Sequence, residues 1–476
     1  MKFLLFLILF ASNLYVFGQS SQEQMQKEFE NFKKTQNQSF DDFKNKRNKE
    51  FGDFLKKEWE AFQVESGVKF PISPIPPVQP KVIPDAPVQP DADKLPLIDL
   101  PVSKDPIDKS PVVIKPAGDF ASYIDLSFYG NALSIGYDPA FIMPCSQFDE
   151  AGISQYWKKM SDKNMEPFIN QINLISKSLQ LNDWAKYLLV KQLSENFFKD
   201  YNDQIAFQFF VLNQLDYNIK VGRSNEGLIL LMPFKNIVYE LSFTSINGNY
   251  YYIIGKGDIK NIFSFKEDLS KSSAKIDLNL NKAPKFENGT VDKNISLKSQ
   301  NKLMSIKYDK NLMRFYQDMP LTELSVFFNS QVAENTQNSL KYEFKSLLNG
   351  KNELEAANIL LEFVQHGFEY KTDDEQFGRE KTFFAEEIFH YPYSDCEDRS
   401  VLFAYLTRSL LNLDVIALNY PNHVATAVCF KGNVNGDFVI HENKKYVVCD
   451  PTYIGSSAGM AMPVFKNARP KVISIK

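Results

Sequence analysis

Three residues near the C-terminus have the types and settings for acyl-transfer chemistry. Cys396 lies in Ser394-Asp395-Cys396-Glu397-Asp398-Arg399-Ser400, directly ahead of an apolar-periodic helix. His423 opens the strand-like run Val424-Ala425-Thr426-Ala427-Val428, and Asp450 closes Tyr446-Val447-Val448-Cys449. A thiol, an imidazole and a carboxylate, each at the edge of its own element, are the parts of a nucleophile, its general base and the group that orients the base. Cys396 would attack, His423 would take its proton and pass it to the leaving amine, and Asp450 would hold the ring through its other nitrogen.

The elements that must position these groups are legible nearby. Ser394 is a good N-cap and Glu397 completes a capping box, which puts Cys396 in the first helical turn. Unpaired N–H groups there lower a thiol pKa and could form an oxyanion hole. Tyr393, with Glu397 as a neighbouring candidate, would supply a second donor or a substrate wall. Val401, Leu402, Tyr405, Leu406, Ser409 and Leu410 give the helix a face for a sheet. Pro451 marks the end of the aspartate strand. Each signal also has a plainer structural reading: a capped helix start, a hydrogen-bonded strand-edge histidine, an Asp-Pro-Thr turn. Their order and settings together favour the site. Asp395, Glu397 and Asp398 could hold a cation, but a capped, solvated acidic helix start is the plainer expectation. His366 and His390 lie near a presumed insertion, and His441 beside Glu442-Asn443-Lys444 is expected to be exposed.

Composition narrows the rest. The chain has 476 residues, 41 Phe and 22 Tyr, enough for substantial cores in more than one domain. A formal charge of -4 gives no electrostatic case for nucleic acid. Four histidines and four cysteines without CxxC or HExxH spacing predict no metal centre, and no cofactor is expected. Residues 1–18 read as an export signal: Lys2, the apolar run Phe3 to Phe10, then Val16 and Gly18 before Gln19. The mature chain is therefore expected in the periplasm or secreted, without a stable membrane span or a lipid anchor at the cleavage point. Disulfides are permitted there. If His423 and Asp450 face each other across neighbouring antiparallel strands, however, Cys429 and Cys449 lie more than about 15 Å apart on opposite faces, and no bridge is expected.

Three kinds of chain follow the signal. Phe29, Phe40, Phe51 and Phe62 recur every eleven residues, as do Phe32, Phe43 and Phe54, which predicts one amphipathic helix over 19–66, running through Gly52 and ending at Gly67. Its aromatic stripe is suited either to self-association or an envelope partner, over 22–66, or to folding back on its own protein. Residues 67–118 carry thirteen prolines and read as a semi-rigid linker. The remainder has the pattern of a diverged duplication, 119–290 and 291–476. Leu133-Ser134-Ile135-Gly136-Tyr137-Asp138 is echoed by Met304-Ser305-Ile306-Lys307-Tyr308-Asp309, and Asn182-Asp183-Trp184 by Asn352-Glu353-Leu354. At matching offsets Tyr201 and Leu228 replace Cys396 and His423, and the carboxylate position falls near Ile254 and Gly255. The first copy is thus expected to lack the chemistry. The second has an insertion near Tyr370 to Tyr393, expected to form a wall or lid.

At Asp395-Cys396-Glu397-Asp398-Arg399-Ser400, His423 to Val428 and Asp450-Pro451-Thr452-Tyr453 the chain resembles the bacterial transglutaminase-like branch of the papain-type cysteine enzymes, in the exported form found in Bacteroidetes. The resemblance covers residues 340 to 460. It implies an α+β fold with the nucleophile helix on an antiparallel sheet, and a Cys-His-Asp triad at Cys396, His423 and Asp450. Many relatives have alanine and then an aromatic residue after the histidine; Val424 and Ala425 depart from that. The leading expectation is hydrolysis of an amide in an extracytoplasmic protein or peptide through an acyl-enzyme. The alternatives are protein-glutamine cross-linking, in which an amine replaces water, and a noncatalytic envelope scaffold.

Overall fold

A computed structural model describes residues 19–69, 96–98, 119–256, 259–269 and 274–476. Residues 1–18, read above as an export signal, and most of the proline-rich stretch lie outside the described residues, as do the side chains of Phe40 and Phe43. The chain divides into two compact units, residues 1–58 with 145–165, and residues 59–144 with 166–476.

The first unit is built on the helix Gln19–Leu55 and the helix Glu150–Ser161. Asp149 caps the second by accepting the Gly152 N–H at 2.8 Å. Phe51 and Leu55 are buried, with the Phe51 ring edge-on to Trp157 at 4.9 Å. Trp157 Nε1 donates to the Asn48 carbonyl at 3.0 Å, and Ser154 Oγ to the Gly52 carbonyl at 2.6 Å. Gly52 permits this approach, since a Cβ there would lie 2.7 Å from Lys158 Cγ. The C-terminal turns of the striped helix therefore fold back on their own unit, while Phe29 and Phe32 stay exposed.

The helix stops at Leu55, not near Gly67. Residues Glu60–Gln63 form a strand paired antiparallel with Asn261–Ser264, so Phe62 lies opposite Ile262. Phe62 joins the cluster of Ile229, Leu231, Ile246, Tyr251 and Ile253. This long-range burial overrides a period that local sequence carries past the helix end.

The second unit is an α+β fold whose two largest sheets, among the described residues, are antiparallel. In the first, the order is Glu60–Gln63, Asn261–Ser264, Lys220–Ser224, Gly227–Met232, Asn249–Ile254, Phe243–Ile246. Glu65 and Phe243 exchange backbone hydrogen bonds at 2.8 and 3.0 Å across the gap, leaving a nearly closed barrel. In the second, the order is Phe438–His441, Lys444–Cys449, His423–Cys429, Asp414–Tyr420, Lys471–Ser474. This sheet curls into a half-barrel, and His441 on one edge strand hydrogen-bonds Ser474 Oγ on the other at 2.9 Å. His441 is half-buried by that contact, not exposed as its turn setting suggests.

The two halves share a plan. Each begins with a hairpin, Ser122–Phe128 with Asn131–Tyr137 and Thr290–Leu297 with Lys302–Asp309. Each then has an asparagine-capped helix, Asp183–Phe197 behind Asn182 and Glu353–Gly367 behind Asn352. Each places a helix ahead of its sheet, Tyr201–Gln214 and Cys396–Leu406, and five strands follow in the same relative order. Within the proline-rich stretch, Leu97 forms a bridge with Asn352, and Ile98 exchanges hydrogen bonds with Lys351 and Gly350. Those residues dock against a helix start instead of acting as free spacer.

Candidate active site

The helix Cys396–Leu406 is buried at every position and runs on into a wider π-helical turn, Thr407–Leu411. Such a helix sits inside a core instead of covering one side of it. The N-cap is Asp395, one residue later than the sequence pattern suggested. Asp398 Oδ2 accepts the Asp395 N–H at 3.2 Å, so the return arm of the box falls to Asp398 instead of Glu397. Ser394 instead receives Arg399 Nε at 3.1 Å. The Arg399 guanidinium is itself buried and donates to the Gln365 and Phe368 carbonyls at 3.1 and 2.8 Å. Cys396 is thus the first residue of the helix. One turn on, Ser400 Oγ donates to the Val424 carbonyl at 2.9 Å and ties the helix to the histidine strand.

The imidazole and carboxylate meet. His423 Nε2 lies 2.8 Å from Asp450 Oδ2, both side chains being buried. They are not directly opposite. Thr426 pairs with Cys449 and Val428 with Val447, so Asp450 continues beyond the ladder opposite Ala425, on the face that His423 shares. This register shortens the separation of Cys429 and Cys449 along the strands to three residues, about 10 Å at ~3.3 Å per residue. The odd offset still puts them on opposite faces, and both are free thiols.

Asp450 is held on its other side. Its Oδ1 accepts the Thr452 and Tyr453 N–H groups at 2.9 and 3.1 Å. Gln365, buried on the helix Glu353–Gly367, places Nε2 within 3.1 Å of the Asp450, Tyr453 and Ser456 carbonyls and accepts the Gly455 N–H through Oε1. Phe465 stacks flat on the His423 ring, centroids 5.1 Å apart, and Tyr420 packs against Phe465 at 4.8 Å and near the imidazole at 6.5 Å. Sequence reasoning missed both residues. Gln365 had a signal: it stands four residues after Leu361, on the face the helical period assigns to the core. Phe465 follows the site in an irregular segment and had none.

The thiol differs from expectation. Cys396 Sγ donates to Glu397 Oε2 at 3.0 Å instead of to an imidazole nitrogen, and is fully buried. Burial pushes its pKa well up, and the Glu397 and Asp395 carboxylates push it further; the Val424 N–H acts the other way. The helix end does not lower it on balance, because desolvation and two adjacent acids outweigh a partial positive charge. The acidic residues are not a solvated helix start either: Asp395, Glu397 and Asp398 are all buried. Burial raises each of their pKa values, with mutual repulsion adding to it.

The segment Asp373 to Tyr393 packs against this helix start. Phe383 N–H donates to Asp398 Oδ1 at 2.8 Å, and Lys381 N–H to Asp373 Oδ2 at 2.6 Å. The Lys381 ammonium pairs with Glu387 at 2.7 Å. Tyr393 lies in a two-residue strand paired in parallel with Glu369–Tyr370, its ring beneath the Lys371 ammonium at 5.2 Å. His390 Nδ1 is 3.3 Å from the Tyr308 hydroxyl, and His366 is exposed near the end of its helix.

The first half provides a comparison. Tyr201 is the first residue of its helix behind the N-cap Asp200, as Cys396 is behind Asp395. Ser224 pairs with Gly227 across a turn as Tyr420 pairs with His423, so Gly227 occupies the histidine position, one residue before Leu228. Leu230 pairs with Ile254 as Thr426 pairs with Cys449, which puts Gly255 at the position of Asp450. Compared with known proteins, the chain matches no family model, no curated protein and no solved structure.

Proposed function

We propose that residues 291–476 form a transglutaminase-like, papain-type thiol enzyme that hydrolyses an amide bond in an extracytoplasmic protein or peptide. The observation that carries this reading is the buried His423–Asp450 pair beside a helix whose first residue is Cys396. With Nε2 engaged by Asp450, Nδ1 is the nitrogen through which His423 would serve the thiol. The Cys396 sulfur attacks the carbonyl carbon, its proton passes to His423, and the tetrahedral centre collapses by breaking the C–N bond. The departing amine takes that proton. Water, deprotonated by His423, then attacks the thioester, releasing the acid and restoring the thiol. An amine in place of water gives a cross-linked amide on the same site.

Residues 119–290 fit a degenerate copy, supported by the shared strand order and by Tyr201, Gly227 and Gly255 at the three chemical positions. The enclosed thiol requires chain to move before a substrate enters, and the segment Asp373 to Tyr393 is the element packed at the helix start. The noncatalytic reading draws its support from the same enclosure and from the bond between Cys396 and Glu397.

Iodoacetamide labelling with peptide mass spectrometry separates the two readings. By exposure alone the half-buried Cys429 should react before the buried Cys145, Cys396 and Cys449. An active site reverses that order: Cys396 reacts first, and His423→Ala slows it at least tenfold. Labelling that follows exposure and ignores His423 makes the protein a scaffold.

A further inference from the structure

The helix Lys310–Gln317 and the segment Asp373 to Tyr393 contribute to a pocket that the proposed reaction does not use. Its volume is about 40 Å³. At roughly 10–15 Å³ for each water-sized atom, that is room for about three. Phe384 is one wall, packed on the Tyr316 and Phe327 rings with centroids 4.3 and 4.6 Å away. Two lining residues carry hydroxyls without partners. Tyr316 is 3% exposed and Thr382 2%, and neither oxygen has a hydrogen-bond partner although both are enclosed. A buried hydroxyl left unpaired is costly, and native chains ordinarily satisfy it.

The pocket also has a spare positive charge. Lys381 lines it, but its ammonium pairs with Glu387 at 2.7 Å. Arg379, exposed at the rim, has no carboxylate partner among the described residues. Burial, with the Glu386 and Glu387 carboxylates adding to it, pushes the Tyr316 pKa well up, so its hydroxyl keeps a proton to donate. Those acids are themselves engaged: Glu387 by Lys381, and Glu386 by the Asp309 and Ala333 N–H groups.

We propose that this pocket binds a carboxylate group, which accepts hydrogen bonds from the Tyr316 and Thr382 hydroxyls and from the Arg379 guanidinium. A guanidinium with two hydroxyl donors suits a flat, two-oxygen anion. Size then excludes larger anions. The carbon and two oxygens of a carboxylate fill the space, whereas a phosphate brings five atoms. A free small acid and the C-terminus of a peptide both present this group. Thr382 precedes Phe383, whose N–H holds Asp398 in the first turn of the Cys396 helix. An occupant would thus be seated one residue from a contact of that helix, whether or not Cys396 is catalytic.

Ligand-observed NMR on the full mature chain tests the site, with acetate, N-acetylalanine and N-acetylalaninamide as probes. The expected result is saturable binding of the acids and none of the amide. Arg379→Gln, Tyr316→Phe and Thr382→Val should each weaken the acids about tenfold, the loss of one hydrogen bond to a charged group. Arg469→Gln, at another exposed arginine, leaves binding unchanged. Tyr316→Phe and Thr382→Val remove hydroxyls that bond nothing in the unliganded chain, so its Tm should not fall, and lost binding cannot be laid to misfolding. N-acetylalanine binding more tightly than acetate assigns the pocket to a peptide C-terminus; acetate binding as tightly or more so assigns it to a free small acid. Both results support the site. No binding of either acid, the amide binding as tightly as the acid, or binding untouched by all three variants overturns it. Inorganic phosphate binding more tightly than acetate overturns the size assignment. Cys396→Ala should bind as the native chain does, so failure here is separate from failure of the thiol labelling.

Discussion

Gln365 illustrates how a residue outside the proposed triad can fix the position of a residue inside it. Its two amide hydrogens serve carbonyls of Asp450, Tyr453 and Ser456 and the Ser456 hydroxyl, and its oxygen takes the Gly455 N–H. The loop after the aspartate strand is thereby stapled to a helix, and the Asp450 carboxylate to the imidazole. Gln365→Leu keeps the volume but strands those buried groups, which should cost about 2–4 kcal/mol in chemical denaturation. A loss below about 0.5 kcal/mol would mean that the turn holds Asp450 unaided. Cys396 makes the complementary point. Its place at a helix start does not lower the thiol pKa, because burial and then two enclosed acids push it up.

Among the elements, the two asparagine-capped helices carry equal duties in the two halves. Asn352 Oδ1 accepts the Glu355 N–H at 2.9 Å and Glu355 returns a bond to the Asn352 N–H at 3.0 Å. Asn182 Oδ1 accepts the Ala185 N–H at 2.9 Å, and its amide reaches the Leu278 carbonyl. Replacing either by alanine should lower stability by about 1 kcal/mol, read from a denaturation midpoint. An unchanged midpoint for Asn352→Ala would show that the docked residues 96–98 satisfy that helix end by themselves. Strand order, which the two halves share, is the stronger likeness between them, because cap residues recur in unrelated helices.

For the molecule as a whole, Glu386 offers a handle on stability. It is fully buried and bridges two parts of the second unit, Oε1 accepting the Asp309 N–H at 2.9 Å and Oε2 the Ala333 N–H at 2.7 Å. Burial raises its pKa to about 7, against the pull of those N–H donors. The unfolded carboxyl titrates near its ordinary value, so between the two the folded chain holds a proton that the unfolded chain has lost. Its contribution is fully present below the unfolded pKa and is lost as pH rises through the folded one. The loss amounts to about 3 kcal/mol by pH 8. In Glu386→Gln that slope should vanish, so native-minus-variant stability falls from pH 4.5 to pH 8. A flat difference would refute the assignment.

The sequence alone marked the candidate residues and the elements that carry them. Cys396 at a helix start, His423 opening a strand and Asp450 ending one are local statements, written in capping residues and in apolar periods that short segments impose. The order of hairpin, capped helix and strands that the two halves share was readable for the same reason, since caps and spacing are local. Tertiary structure decided what depends on distant chain. It ended the first helix at Leu55 by pairing Phe62 with Ile262, set the two-residue stagger between His423 and Asp450, and brought Gln365 beneath their loop. It also enclosed the acids around Cys396, which sequence left in water. Burial is a property of everything packed around a group, and no window of sequence contains its neighbours.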